Sequence, residues 1–498
     1  MKTNDIFILI ATAAYSYLFY EQSAGINYLV FNVLIVLLLF AKDTNLVLKP
    51  AWLAIAAGSL ISSFFVFWWG TTLPWVANLC SLFALAGLSF NAESSLLLAA
   101  LNTFISVNTS IPRFFSSSVR MTKPENGSTS TFTRILLFAG PVFITFIFVF
   151  VYRAANPIFE KFTDKISLDF ISFNWCVFTL IGFFMMYGFF KFFIIQKLNE
   201  ADNLAHDNLP FLTLEQHQQS DLGKKLPVRS EVFTGVVLFV LLNMVLFCVN
   251  GLDIFYMWIV NRLPSGITIA EYLHDGADTL ILSIIMAIAV ILFVFRGYLN
   301  FFRSNYLLKV LAYAWIAQNA LLVITTANRN WWIIESTGLT RRRIGVYVYL
   351  LLCLIGLTTI FIKVMGKKSN WFLFRKNAWG FYAVFIVACF INWDELIVNY
   401  NYKHYKALEL EYIDRNYQAE LSHTCLATLF TDYADEKKEP NAHNPVFTKR
   451  VISSMYAGYD DLKKRAERPG WQSFCISRYN NLNAINQMIN NGEVPAHE

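Results

Sequence analysis

Two side-by-side amides and a run of three arginines stand out in a chain that is otherwise strongly apolar. Gln318 and Asn319 lie inside the apolar run Leu307–Thr326. On a helix, Gln318, Leu322, Thr325 and Arg329 share one stripe, and Asn319 and Thr326 share the next. A second set, Asn243, Asn250 and Asp253, occurs at steps of seven and three in the run Val232–Trp258, with Asp253 its only carboxylate. Polar groups inside an apolar helix face a bundle interior and mark ion, proton or substrate pathways. The same amides can serve as plain interhelix contacts of about 1 kcal/mol or less, and Asp253, close to the outer end of its run, can equally be a snorkelling or salt-bridged end residue. These five residues form the candidate intramembrane site.

A second candidate site sits at run edges assigned to the outer face. His274, Asp275 and Asp278 open the run Ala277–Val294. One histidine with two carboxylates has the donor types for a divalent metal, but acids at a helix start are also expected from the helix dipole, and no metal is assigned. Arg153, with Asn156 and Pro157, flanks one run, and Glu335 with Arg341, Arg342 and Arg343 flanks another. An arginine cluster can grip a phosphate by paired bonds, so an anionic or polyprenyl-phosphate lipid is the partner this set suits. Plain headgroup anchoring is the alternative. HExxH, GxSxG and GxGxxG are absent, and GKKS at Gly366 lacks the upstream glycine of a phosphate loop. No cofactor is indicated. Polyprenyl-sugar glycosyltransferases with many spans place acids in a large first outer loop. Here that loop, Glu21–Gly25, holds one carboxylate.

The elements that must position these residues are apolar helices. Of 498 residues, 56% are hydrophobic, 15% are charged and 47 are Phe, against about 25% charged in a soluble domain. The predicted fold is an all-α polytopic transmembrane helical bundle with a helical C-terminal tail. Its eleven spans are Ile6–Tyr20, Ile26–Phe40, Ala51–Trp69, Leu73–Phe90, Phe132–Tyr152, Phe170–Phe193, Val232–Trp258, Ala277–Val294, Leu307–Thr326, Ile344–Val364 and Ala378–Phe390. Ser94–Val107 is a candidate twelfth. Residues 1–391 form the membrane domain and residues 392–498 a soluble tail, whose 12 Lys and Arg stand against 15 Asp and Glu. The net charge of +6 is concentrated in short loops, where it sets topology. No basic patch interleaved with aromatics points to nucleic acid.

Loop lysines and arginines, such as Lys42, Lys197, Arg296 and Lys367, fall on one side and predict a cytoplasmic N-terminus and a periplasmic tail. The Arg341–Arg343 run is the exception, on the outer side. In the tail, the three- and four-residue recurrence of Tyr400, His404, Ala407, Leu408 and Tyr412 predicts a helix from Asn392, Ser422 caps a second, and Val451–Lys464 forms a third. Of the seven cysteines, five lie in apolar runs. Cys425 and Cys475 are in the tail, where spacing leaves a disulfide open.

Five segments carry a family resemblance. They are YRAANPIF at Tyr152–Phe159, LPSGITIAEYLHDG at Leu263–Gly276, GLTRRRIGVY at Gly338–Tyr347, NYNYKHY at Asn399–Tyr405 and WQSFCISRY at Trp471–Tyr479. Together they resemble the DUF4173 group of bacterial membrane proteins within the wider DUF4153 class. The tail departs from that group's leucine-rich pattern: His423 stands near its usual acidic position and no proline precedes Leu429. The resemblance implies a bacterial inner-membrane protein with many spans and carries no activity. Three functions fit: transport of a small or lipid-linked molecule, a scaffold or sensor engaging a protein partner through residues 392–498, or an envelope enzyme with an outer-face pocket.

Overall fold

Helix ends decide this architecture, and the sequence supplies them clearly. Pro50 opens the helix Pro50–Trp69 and Gly70, in the left-handed region at φ 66°, closes it. Thr340 caps Arg341–Gly366 by accepting from the Arg343 N–H, and Ser369 caps Asn370–Ala388 by accepting from Phe372 N–H. Asn392 caps Trp393–Leu408, its Oδ1 accepting from the Glu395 N–H while its Nδ2 donates to Glu395 Oε2. The computed structural model describes residues 3–120, 172–209, 228–260, 276–295, 305–408, 413–438, 447–466 and 470–495, with isolated positions between 145 and 159.

The described chain is helical, and it divides into two compact units. The first comprises Met1–Asp202 with Ala457–Asn490. It contains α1 (Thr3–Phe19), α2 (Ile26–Lys42), α3 (Pro50–Trp69), α4 (Thr72–Leu88), α5 (Leu96–Asn108), α6 (Ser110–Arg120) and α7 (Phe173–Phe190). Small residues let these helices approach closely: Gly58, Ser59, Ser62 and Ser63 of α3 and Ala77, Ser81 and Ala84 of α4 are all buried. At Gly87 an added Cβ would lie 2.2 Å from the Ala99 carbonyl oxygen, so α4 and α5 touch backbone to backbone. The last helix of the chain, Ile476–Asn490, also belongs here.

The second unit comprises Asn203–Tyr456 with Asn491–Glu498. After the short helix α8 (Gln196–Leu204), at the division, come α9 (Val228–Ile254), which continues as a π-helix over Phe255–Val260, α10 (Gly276–Val294), α11 (Tyr306–Thr337), α12 (Arg341–Gly366), α13 (Asn370–Ala388) and α14 (Trp393–Leu408). Its core is Phe239, Ile291, Phe295, Leu308, Trp315, Leu357 and Ile360 with their neighbours. The Phe239 and Trp315 rings meet edge to face at 5.3 Å.

Among the described residues, four helices are long and apolar enough to cross a membrane: Pro50–Trp69, Arg229–Val260, Tyr306–Thr337 and Arg341–Gly366. Asn370–Ala388 and Trp393–Tyr405, bent by 62°, make a fifth if counted as one broken span. This corrects the expected eleven spans, with or without a twelfth. Asn4–Phe19, Ile26–Lys42, Thr72–Leu88, Leu96–Asn108 and Asn174–Phe190 are apolar but at most 17 residues long. A 17-residue helix rises roughly 25 Å, short of a hydrocarbon core roughly 30 Å thick. The runs Ile6–Tyr20 and Ile26–Phe40 need helical flanks to reach bilayer thickness, and the helices end at Phe19, before the turn at Glu21 (φ 55°), and at Lys42. The expected span Phe132–Tyr152 falls almost wholly outside the described residues.

Candidate functional site

The intramembrane candidates lie on two helices that run parallel. Asn243 donates through Nδ2 to the Leu311 carbonyl at 3.0 Å, and Asn250 donates to the Gln318 carbonyl at 3.0 Å. The donors are seven residues apart and so are the acceptors, so α9 and α11 keep one register along a heptad seam. Within that seam Gln318 Nε2 donates to Asn243 Oδ1 at 2.9 Å, and Asn243 Nδ2 also reaches the Phe239 carbonyl at 2.6 Å.

Further along, Asp253 meets α11 again. Thr325 Oγ1 donates to Asp253 Oδ2 at 3.1 Å, and the Arg329 guanidinium bonds Asp253 Oδ1 in an ion pair. Asn250 and Asp253 are 3% and 4% exposed, so this carboxylate and this amide are out of contact with solvent and lipid. Two acceptors in the seam have no donor: Asn250 Oδ1 and Gln318 Oε1. Buried polar atoms are paired in the great majority of cases, so two open oxygens beside one ion pair are unusual. The π-helical turn at Phe255–Val260 follows Asp253 directly, and such turns are frequent at functional sites.

Asn319 does not join them. Its Nδ2 donates to the Trp315 carbonyl of its own helix at 2.8 Å, and Thr326 likewise bonds back to Leu322. Asn330, on the face toward α12, donates to the Arg343 carbonyl at 3.0 Å. Thus Asn243, Asn250, Asp253 and Gln318 come together with Thr325 and Arg329, and Asn319 acts within α11.

The arginine run is organised by a residue that the sequence does not single out. Arg341 forms a paired contact with Asp394, Nε to Oδ1 at 2.6 Å and Nη2 to Oδ2 at 2.5 Å. Asp394 Oδ2 also accepts from Ser422 N–H at 3.1 Å, and Arg341 N–H donates to Tyr417 Oη at 2.8 Å. Arg343 bonds the Gly338 carbonyl. Gly338 has φ +83°, and a Cβ there would lie 2.8 Å from Asn401 Oδ1. Asn401 binds both backbone groups of Leu339, accepting from its N–H at 2.5 Å and donating to its carbonyl at 2.9 Å. Arg342 is exposed. Glu335 is exposed and accepts from Trp331 Nε1 at 2.8 Å, while its backbone carbonyl lies 2.9 Å from His404 Nε2. The signal for Asp394 was a carboxylate in the first turn of a helix right after a sharp bend.

Asn156 is exposed and accepts locally from Phe159 N–H at 3.3 Å. Arg153 and His274 lie outside the described residues, as does the side chain of Asp278 in α10. Among the described residues no group of three or more His, Cys, Asp or Glu is placed to hold a metal.

One further buried charged group, Arg415, escaped sequence reading. Arg415 is fully buried, donates to Gln418 Oε1 at 2.6 Å and Asp432 Oδ2 at 2.9 Å, and lies between the Tyr402 and Phe447 rings. Burial lowers its guanidinium below the ordinary arginine range, with Asp432 opposing. Cys425 and Cys475 are both free and buried, and burial pushes each thiol up.

A family model described as a domain of unknown function, DUF4153, matches residues 6–429. No curated protein and no solved structure matches the chain.

Proposed function

We propose a membrane-transport role for this chain, which belongs to the DUF4153 family of domains of unknown function. In this reading the α9–α11 seam conducts a proton or small cation, alone or coupled to a small or lipid-linked molecule. One observation carries it: a buried Asp253–Arg329 ion pair lies in a seam where Asn250 Oδ1 and Gln318 Oε1 have no donor. Carboxyl, amide and hydroxyl oxygens are the ligand set of hard cations and of hydronium. An ionisable residue within a span is costly to keep and is by default a candidate for a functional site. A cation arriving at the open amide oxygens competes with Arg329 for Asp253, so loading the seam loosens the ion pair. The narrower DUF4173 grouping and a bacterial inner-membrane location rest on the motif resemblance and fit the same reading.

The test is reconstitution into liposomes with an internal pH-sensitive dye and a potassium diffusion potential. The expected result is a proton, sodium or potassium flux that Asp253→Asn abolishes. Flux no greater than that of protein-free vesicles, for all three ions, overturns the reading.

The junction at Arg341 favours a second reading, in which a partner bound by residues 392–498 acts on the start of α12 through Asp394. Lysine cannot span both carboxylate oxygens. Arg341→Lys is therefore expected to speed limited proteolysis at residues 413–425 several-fold. An unchanged cleavage rate removes the support for this reading.

A further inference from the structure

The segment Trp471–Tyr479 is folded inside out. Its polar side chains Gln472, Ser473, Ser477 and Arg478 are buried, while Trp471, Phe474 and Tyr479 are 51%, 45% and 52% exposed. A segment bathed in water places large aromatics inward and polar groups outward. Here the polar groups bind the turn between α1 and α2. Ser473 Oγ donates to Gln22 Oε1 at 2.7 Å and accepts from Ser23 N–H at 2.9 Å, and Arg478 Nη2 donates to the Ala24 carbonyl at 3.2 Å. Ile26 N–H donates to the Phe474 carbonyl at 2.9 Å. A Cβ at Gly25 would lie 2.5 Å from that same carbonyl oxygen, so the two backbones touch.

The depth of this segment is set by α3. That helix has 20 residues and is apolar enough to cross a membrane, and a helix of that length rises roughly 30 Å, the thickness of the hydrocarbon. Its last residues, Trp68 and Trp69, therefore stand at one boundary. Cys475 Sγ lies 3.7 Å from the Trp68 carbonyl oxygen, and the Phe474 ring packs on Phe67 at 6.1 Å between centroids. Phe474 in turn packs on Tyr479 at 5.8 Å. Trp75, at the start of α4, is also exposed and donates to Tyr28 Oη at 2.6 Å. Aromatic side chains with one polar edge concentrate at the depth of the lipid headgroups.

We propose that Trp471, Phe474 and Tyr479 form an interfacial anchor that beds this late segment in the headgroup–acyl boundary of the bilayer, level with the end of α3. The lipid surface is its partner. The anchor places the α1–α2 turn and the start of the helix Ile476–Asn490 on the same side of the membrane, and that helix leads out of the interface with its asparagines. It stands independently of any conduction through the α9–α11 seam.

The test uses the full chain in nanodiscs of phosphatidylcholine and phosphatidylglycerol, with the exposed Cys80 and Cys248 replaced by serine. A nitroxide is placed at Trp471→Cys, at Tyr479→Cys and, as the aqueous reference, at Lys464→Cys, an exposed position in the helix Lys449–Ala466. Collisions with oxygen and with a water-soluble nickel chelate are measured. The expected result is chelate access several-fold lower, and oxygen access higher, at 471 and 479 than at 464. Chelate access equal to the reference overturns the proposal. So does spin–spin broadening at 471 that unlabelled chain dilutes away, which would assign the surface to a second copy.

Discussion

Two buried clusters in this protein use the same residue types and reach opposite ends. In the first unit, Asn32 of α2, Ser59 and Ser62 of α3 and Asn78 of α4 are all buried. Asn32 and Asn78 exchange amide bonds at 3.0 and 2.9 Å, Ser59 Oγ donates to Asn32 Oδ1 at 2.5 Å, and Asn78 Nδ2 also reaches the Ser59 carbonyl and Ser62 Oγ. Every side-chain polar atom of the four has a partner. In the second unit, the α9–α11 seam also pairs amides across helices, but it adds the Asp253–Arg329 ion pair and leaves two oxygens open. Polar contacts between apolar helices hold them together. A closed knot does that work and leaves nothing over. An open, charged seam retains binding capacity, and that difference separates the packing cluster from the candidate site.

The comparison breaks most sharply at the ion pair. Removing one partner of a buried pair leaves the other charge uncompensated, a cost of roughly 3–5 kcal/mol, whereas replacing both by apolar side chains is often neutral. Arg329→Met is therefore expected to give the largest loss of stability, read as the unfolding midpoint in mixed detergent micelles. The double variant Asp253→Leu with Arg329→Met should recover most of it. If the double variant is as unstable as the single one, the two side chains are not held as an ion pair, and the seam is no different in kind from the knot.

Asn78→Leu comes next. It strips the knot of its central amide and leaves one N–H of Asn32 unmade, while Asn32 keeps its bonds to the Tyr28 carbonyl and from Ser59 Oγ. Unmade buried bonds cost roughly 1–3 kcal/mol. The unfolding midpoint should fall accordingly, while any ion flux in vesicles stays at its original level. A flux lost with Asn78 would place function in the closed cluster and undo the contrast.

What could be read in advance follows the same division. Asn243, Asn250, Asp253, Gln318 and Arg329 were legible because polar residues at helical steps in an apolar run have few other uses. Thr325 was legible on the same stripe. The self-bonded state of Asn319 was not, since a side chain one position from Gln318 can turn either way and only its rotamer decides. Asn32, Ser59 and Asn78 lie in three separate runs, each with too few polar residues to form a stripe, so their meeting is a tertiary fact. Asp394 was hidden because its contact with Arg341 at the start of α12 depends on the bend of 62° between α13 and α14. The number of spans was misjudged for a related reason. Composition registers how apolar a stretch is, while crossing depends on how many residues stay helical between caps, and α1, α2 and α4 are each 17 residues long.

The smallest expected change in stability is the most informative. Asn250 donates once, to the Gln318 carbonyl, and its Oδ1 already lacks a donor. Asn250→Leu therefore removes one interhelix bond and one unsatisfied oxygen together. A polar contact between membrane helices contributes about 1 kcal/mol or less, and relief of the unpaired acceptor offsets part of that. The unfolding midpoint should hardly move, less than for Asn78→Leu. Ion flux should fall to the level of protein-free vesicles, because the open oxygen is what a cation would meet beside Asp253. A substitution that leaves the fold in place and stops conduction separates binding from packing at one side chain. If Asn250→Leu leaves both stability and flux unchanged, the open oxygens are incidental and the seam holds helices together as the knot does.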